Sequence, residues 1–355
     1  MIKRRKTKQI EIGGVKIGGD APISVQSMCN TDTRDVKATV AQIKRLEEKG
    51  CELIRVAVLN KDAANAIKEI KKQIKIPLIA DIHFDYRLAV TSIENGVDAL
   101  RINPGNIGNK EHTKRVVDLA KINEVPIRIG VNAGSLEKEL QTLDIPLYEK
   151  LVKSALNHVE ILEENNFYQT KISLKSSDVQ TTIDAYKLMS EKVDYPLHLG
   201  VTEAGTFETG LIKSAVGIGT LLSEGIGDTI RVSLTDEPEK EVWAGFEILK
   251  SLGIRKKGVN FISCPTCGRT QIDLIGLAKK VQKMCDEIFN NIDEPLTIAV
   301  MGCAVNGPGE AKHADFGIAG GIKEGYIFKK GEIIKKVPEE NLLEEFKQIL
   351  TNYKK

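Results

Sequence analysis

Short apolar runs recur along the chain from about residue 20 to 253, each followed by a longer stretch with helical spacing. The runs 23–28 (ISVQSM), 52–58 (ELIRVAV), 77–83 (PLIADIH) and 99–103 (ALRIN) read as strands. So do 126–131 (PIRIGV), 170–175 (TKISLK), 196–201 (PLHLGV) and 229–234 (TIRVSL). The segments between them read as amphipathic helices; over 35–49, Val36, Val40, Ile43 and Leu46 share one face. Gly50, Gly96, Gly225 and Gly253 stand where helices should end, as left-handed caps do. Eight strand–helix units in about 235 residues predict an α/β fold, a closed parallel (β/α)8 TIM barrel. The one long gap, between the fifth and sixth strands, holds a loop (134–147) and then a long helix. Residues 1–19 alternate polar and apolar around paired glycines, which predicts a hairpin closing the bottom of the barrel.

From about 256 the pattern changes. A strand at 259–262, a helix at 270–289 and a strand at 296–300 precede two short strands (325–328 and 332–336) and a helix (339–350). These form a small α+β domain. The expected division is a substrate-binding barrel over 1–255 and a cysteine-bearing domain over 256–355.

Composition changes this picture little. With 41% hydrophobic and 28% charged residues, the chain has the make-up of a soluble globular protein. A net charge of +2 gives no signature of nucleic-acid binding, and no apolar run approaches the length that spans a bilayer. The basic start, Lys3-Arg4-Arg5-Lys6, reads as a solvated tail, too short for a transit peptide. Six cysteines in 355 residues do not make a disulfide framework, so a reducing, cytoplasmic location is expected.

Active sites of this fold lie where the strands end, and charge concentrates there. Arg55 is on the second strand, Asp81 and His83 on the third, Arg101 and Asn103 on the fourth. Arg128 and Asn132 follow on the fifth, Lys175 on the sixth, His198 and Glu203 on the seventh, Arg231 and Ser233 on the eighth. Residues two apart on a strand share a face. Cations pointing inward from five strands would repel one another without an anion between them. Arginine forks match phosphate oxygens, so a diphosphate is the expected ligand. The competing reading is a set of rim salt bridges, with Asp81 and Glu203 as partners. A dinucleotide site is not expected, because no complete glycine fingerprint follows a strand.

The second centre joins Ser263-Cys264-Pro265-Thr266-Cys267-Gly268-Arg269 to Met301-Gly302-Cys303 and, further on, Glu310. Thiolates are soft ligands, suited to zinc or iron–sulfur clusters. A structural zinc site usually closes with a second C-x-x-C or a histidine pair, and neither spacing is present. Three cysteines and one weaker ligand fit a 4Fe–4S cubane with an exchangeable iron. A structural zinc site and a thioredoxin-like dithiol of Cys264 and Cys267 are the alternatives. Cys29, Cys51 and Cys285 read as buried small hydrophobes, although Cys29 falls near the barrel mouth.

In such a barrel the last helix, about 239–252, delivers the chain to the face opposite the mouth, a barrel height of roughly 25 Å away. The linker at 253–258 is too short to climb back. A cluster domain that serves a mouth must then serve another subunit's, which predicts a head-to-tail homodimer.

The runs SVQSMCNTDTRD, ADIHFDYRLA, ALRINPGNIG, RIGVNAGSL, ISLKSSD, GVTEAG, GIGDTIRVSLT, SCPTCGRT and MGCAVNGPGEA resemble the bacterial 4-hydroxy-3-methylbut-2-enyl diphosphate synthases. These are iron–sulfur enzymes of the non-mevalonate isoprenoid pathway. The similarity covers nearly the whole chain and points to the short two-domain form. It implies reductive ring-opening of 2-C-methyl-D-erythritol 2,4-cyclodiphosphate, with electrons from reduced ferredoxin or flavodoxin. It also implies a 4Fe–4S cluster on Cys264, Cys267, Cys303 and Glu310, the glutamate being displaceable. Arg55, Arg101, Arg128, Lys175 and Arg231 would clamp the diphosphate with Asn132 and Ser233. Glu203, or else Asp81 or His83, would protonate the departing oxygen, and Asn306 would hydrogen-bond near the cluster. A zinc-stabilised barrel lyase or aldolase acting on a sugar phosphate is the alternative, and a non-enzymatic electron carrier or iron sensor a further one.

Overall fold

The computed structural model describes residues 2–256, 258–289, 296–303 and 311–354. It divides between Arg255 and Lys256 into two compact units.

The first unit opens with a hairpin, β1 (Ile10–Ile12) and β2 (Val15–Ile17). Eight parallel strands follow: β3 (Ser24–Met28), β4 (Leu53–Ala57), β5 (Leu78–Asp81), β6 (Ala99–Arg101), β7 (Ile127–Asn132), β8 (Thr170–Lys175), β9 (His198–Leu199) and β10 (Thr229–Ile230). Their order, β8-β7-β6-β5-β4-β3-β10-β9, brings the ends of the sheet together, and an Ile172–Leu197 bridge closes the barrel. Around it run α1 (Val36–Glu48), α2 (Lys61–Lys71), α3 (Tyr86–Glu94), α4 (Lys110–Ile122), α5 (Lys138–Gln141), α6 (Leu147–Glu164), α7 (Val179–Lys192), α8 (Phe207–Ser223) and α9 (Pro238–Ser251).

Local chemistry sets these elements. Asp35, Asn60, Asn109 and Asp178 each accept a backbone N–H of the first turn of α1, α2, α4 and α7. The four expected cap glycines all have positive φ. Alternation then sorts side chains by layer. Outward residues such as Ile54, Val56, Leu100, Ile127 and Leu174 join the main core against the helices. Inward residues near the strand starts, Leu53, Ile79 and Ala99, pack on Ile10, Ile12 and Ile17, so the hairpin plugs the barrel floor.

Two expectations give way. The seventh and eighth strands pair over only two residues each. A Cβ at Gly200 would lie 2.6 Å from Lys175 Nζ and 2.6 Å from the Arg231 carbonyl oxygen, so the chain is crowded just where pairing stops. Beyond it, the Leu234 amide donates to Glu241 Oε1 at 3.0 Å instead of to a neighbouring strand. The basic start is not a solvated tail either. Arg4 pairs with Asp228 at 2.9 Å, and Arg5 donates to the Tyr195 carbonyl at 2.6 Å, tying residues 4–5 to the barrel.

The second unit is a five-stranded sheet in the order β11-β12-β13-β14-β15. Its elements are β11 (Val259–Ser263), α10 (Leu274–Ile288), β12 (Leu296–Met301), β13 (Phe316–Gly321), β14 (Glu324–Lys329), β15 (Glu332–Pro338) and α11 (Leu342–Lys354). β13 is absent from the sequence reading, because three of its six residues are glycine and its alternation is weak. The fold needs glycine there: a Cβ at Gly317 would meet the Phe328 ring, and the Ala299 carbonyl oxygen at 2.8 Å.

Candidate active site

The inward residues above the floor are polar and mostly cationic. Arg55, Arg101, Arg128, Lys171 and Lys175 are buried and Arg231 is nearly so. Two carboxylates pair directly with them among the described residues, while Asp228, already paired with Arg4, acts on Lys171 from further off. Asp81 lies 3.1 Å from Arg101 Nη1 and 3.7 Å from Arg55 Nε. Glu241, buried at the start of α9, lies 3.4 Å from Arg231 Nε and accepts from Ser27 Oγ at 3.2 Å. Met28 fills the space between strands, its sulfur 2.8 Å from Arg55 Nη2 and 3.7 Å from Arg231 Nη1.

Six cations against two anions is an unbalanced interior. Burying an unpaired charge costs several kcal/mol, which disfavours the charged forms of these groups. Burial, helped by neighbouring arginines, pushes Arg128, Lys171 and Lys175 well down from their ordinary values. Burial likewise brings Arg55 down to about 10, in spite of Asp81. Burial alone would raise the Asp81 carboxyl, but Arg55, the His83 ring and Arg101 together hold it well below the carboxylate range. Nε and Nη1 of Arg128, Nε of Arg101 and Nζ of Lys171 are buried without a hydrogen-bond partner among the described residues. The chemistry of such a site suits a multiply charged anion.

Arg101 is the most constrained of the set. Its Nη2 donates to the Gly130 carbonyl at 2.6 Å, and its Nη1 lies 2.9 Å from His83 Nε2. Asn103, two residues on, accepts from the Gly130 amide at 2.9 Å, so it fixes backbone rather than facing a ligand. His83 is half-exposed at the mouth. His198 is fully buried, with Nδ1 2.7 Å from Thr229 Oγ1, and burial followed by Arg128 and Lys175 keeps it neutral. Asn132 and Glu203 line one cleft of about 400 Å³ together with Ser177 and Thr202. Glu203 sits there with φ at 52°, a left-handed conformation that costs a non-glycine residue about 1–3 kcal/mol. Ser233 is partly buried in the segment after β10.

Sequence reasoning missed Lys171, Met28 and Glu241. Lys171 shares parity with Lys175 on β8 and was open to detection. Glu241 reaches the site from a helix, which strand parity does not reveal.

In the second unit, β11 and β12 pair in parallel with Ser263 opposite Val300. The loops carrying Cys264 and Cys303 therefore leave neighbouring strand ends, and the Gly302 amide donates to Cys264 Sγ at 3.2 Å. Cys267 is exposed, its thiol drawn down chiefly by the backbone N–H of Arg269. Among the described residues no three ligand side chains close on one point; Asn306 and Glu310 lie outside them. Cys29, Cys51 and Cys285 are buried, with thiols pushed up to about 12 by burial, as small hydrophobes should be.

Fold and site define a (β/α)8-barrel protein with a buried excess of cations, joined to a cysteine-bearing sheet unit. Residues 7–246 match the GcpE TIM-barrel domain, and 260–352 match the GcpE protein C-terminal domain. The chain belongs to the GcpE family. It is 64% identical over 347 residues to 4-hydroxy-3-methylbut-2-en-1-yl diphosphate synthase (flavodoxin) of Caldanaerobacter subterraneus subsp. tengcongensis, covering 97% of each chain. It is 59% identical to the protein of the same name from Clostridium perfringens, over 98% of this chain and 99% of that one. Among solved structures, a dihydropteroate synthase from Coxiella burnetii aligns with a TM-score of 0.51 at 11% identity, over 69% of this chain and 97% of that one. That likeness is one of fold alone.

Proposed function

We propose that this chain catalyses the reductive ring-opening and dehydroxylation of 2-C-methyl-D-erythritol 2,4-cyclodiphosphate to 4-hydroxy-3-methylbut-2-enyl diphosphate. The observation that carries the reading is the buried excess of cations inside the barrel, in a chain of the GcpE family. A cyclic diphosphate supplies the missing negative charge. In this reading Arg55, Arg101, Arg128, Lys175 and Arg231 grip its phosphates, with Asn132 and Ser233 at the edge. Asp81 is too strongly stabilised as an anion to give up a proton, so it orients Arg55 and Arg101. His83 supports Arg101 from the mouth. Glu203, in the cleft beside Asn132, delivers a proton to the departing oxygen.

The reaction takes up two electrons and two protons and releases water. Soft thiols at neighbouring strand ends suit an iron–sulfur group, and we assign Cys264, Cys267, Cys303 and Glu310 as the holders of a 4Fe–4S cluster. When bound, that cluster supplies one-electron chemistry and Lewis acidity. The barrel residues hold the diphosphate and exclude water around it. Reduced flavodoxin, named in the relatives' descriptions, is the proposed donor. The reducing cytoplasm is the proposed location.

We further propose a head-to-tail homodimer. Seven residues separate Ser251 of α9 from Val259 of β11. Fully extended they span at most about 25 Å, which leaves none to turn over the rim.

The test is anaerobic purification followed by iron and sulfide analysis, electron resonance after reduction, and turnover of the cyclic diphosphate with dithionite-reduced methyl viologen. A brown protein yielding the linear allylic diphosphate is expected. A colourless zinc protein without turnover would replace this reading with the lyase or aldolase.

A further inference from the structure

The chain's charge is unevenly divided. Residues 256–355 hold 15 basic and 13 acidic side chains, so the whole formal excess of +2 lies on the smaller unit. Within it, 256–283 carries six basic residues against a single acidic one, Asp273. Asp273 caps α10, accepting from the Gly276 amide at 3.0 Å, so its charge is held at the helix start. The positive end of the helix and the basic side chains therefore lie on the same stretch that carries the C-x-x-C loop.

α10 turns Leu274, Val281, Met284 and Cys285 to the core of its unit. Ile275, Lys279 and Lys283 stand at i, i+4 and i+8 on the opposite face, a stripe about 12 Å long. Ile275 is 57% exposed, an isoleucine placed on solvent where a polar residue would be the ordinary choice. Elsewhere on the unit, Lys335 pairs with Glu345 and Lys336 with Glu324. Neither Lys279 nor Lys283 has a carboxylate partner among the described residues. In the loop that precedes α10, Arg269 interacts with the exposed Cys267.

We propose that the exposed face of α10, with Arg269, is the docking surface for the electron donor, an acidic flavin-bearing carrier protein. Lys279 and Lys283 meet carboxylates around its flavin, and Ile275 is the apolar anchor. The proposal rests on the reductive reading above. Each encounter oxidises the flavin by one electron and reduces the group held by the cysteines by one, and two encounters supply one turnover. A small, charged, salt-sensitive surface suits such brief encounters, which bury little area.

The test is the variant Lys279→Glu/Lys283→Glu, assayed in parallel with reduced flavodoxin and with reduced methyl viologen. With flavodoxin the KM for the carrier should rise about tenfold or more, and its dependence on ionic strength should flatten. Viologen-driven turnover should stay at the parent level. The dissociation constant of oxidised flavodoxin, measured by calorimetry, should weaken in step with that KM. Unchanged carrier KM and affinity would overturn the proposal. Absence of viologen turnover in the parent protein would instead overturn the reductive reading. If the variant loses viologen turnover as well, carbodiimide cross-linking of the parent protein to flavodoxin decides. Links at Lys279 or Lys283 support the surface; links elsewhere, or only between copies of this chain, refute it.

Discussion

Substituting Gly130 by Ala tests the cationic interior without removing a charge. Gly130 lies on β7 with its carbonyl bonded to Arg101 Nη2 at 2.6 Å. An added Cβ would overlap Arg101 Nε and lie 2.9 Å from Nη2 and 3.0 Å from Cζ. Comfortable separations are about 3.5–4.0 Å, so the guanidinium must retreat by roughly 1–1.5 Å to clear its Nε. That motion stretches the bond to the Gly130 carbonyl and the 3.1 Å contact with Asp81 together. Losing charge-assisted bonds of this kind costs about 1.5–3 kcal/mol of stability. Misplacing a phosphate-gripping fork by a comparable distance costs roughly tenfold to a hundredfold in function. The assay is calorimetric titration with the cyclic diphosphate under oxidising conditions, where no turnover occurs, alongside thermal unfolding. We expect the dissociation constant to rise at least tenfold and the melting temperature to fall, with iron content unchanged. Affinity within twofold of the parent, with an unmoved melting temperature, would show that Arg101 is neither so tightly held nor part of the clamp.

Other outcomes follow from the same geometry. Burial, with neighbouring cations, holds Lys171 and Lys175 well below the ordinary lysine value, and a bound anion would favour their charged forms. Binding at a pH between these depressed values and the ordinary lysine value of about 10.4 should therefore take up protons, seen as a buffer-dependent calorimetric enthalpy, and affinity should weaken as pH rises. For the ligand-free protein the sign reverses. The unfolded chain binds more protons than the folded one over that range, so these lysines make stability rise with pH. Asp81→Asn should cost about 3–5 kcal/mol by leaving Arg55 and Arg101 unpaired, with partial rescue of the melting temperature by added pyrophosphate. A melting temperature equal to the parent's would mean the pairs carry no stability. Finally, Arg101→Ala and Cys264→Ser chains, each inactive alone, should recover about a quarter of parent activity when refolded together, since a head-to-tail pair restores one intact site per mixed dimer. No recovery would confine each site to a single chain.

The strand–helix rhythm, the cap glycines and the break near residue 256 were legible in the sequence because they rest on local periodicity and backbone conformation. The cations of the mouth were legible for the same reason, since parity along a strand decides which side chains face inward. Arg55, Arg101, Arg128 and Lys175 fell where alternation put them. What periodicity does not carry is the meeting of distant segments. Glu241 reaches Arg231 from a helix, Asp228 captures Arg4 across more than two hundred residues, and Gly317 makes room for the Phe328 ring. None of these has a local signature, because each depends on where another element comes to rest. The chain alone determined which residue types would enter the barrel. Only the closed barrel decided that, among the described residues, two carboxylates would face six cations, for burial and proximity exist only once the strands have closed.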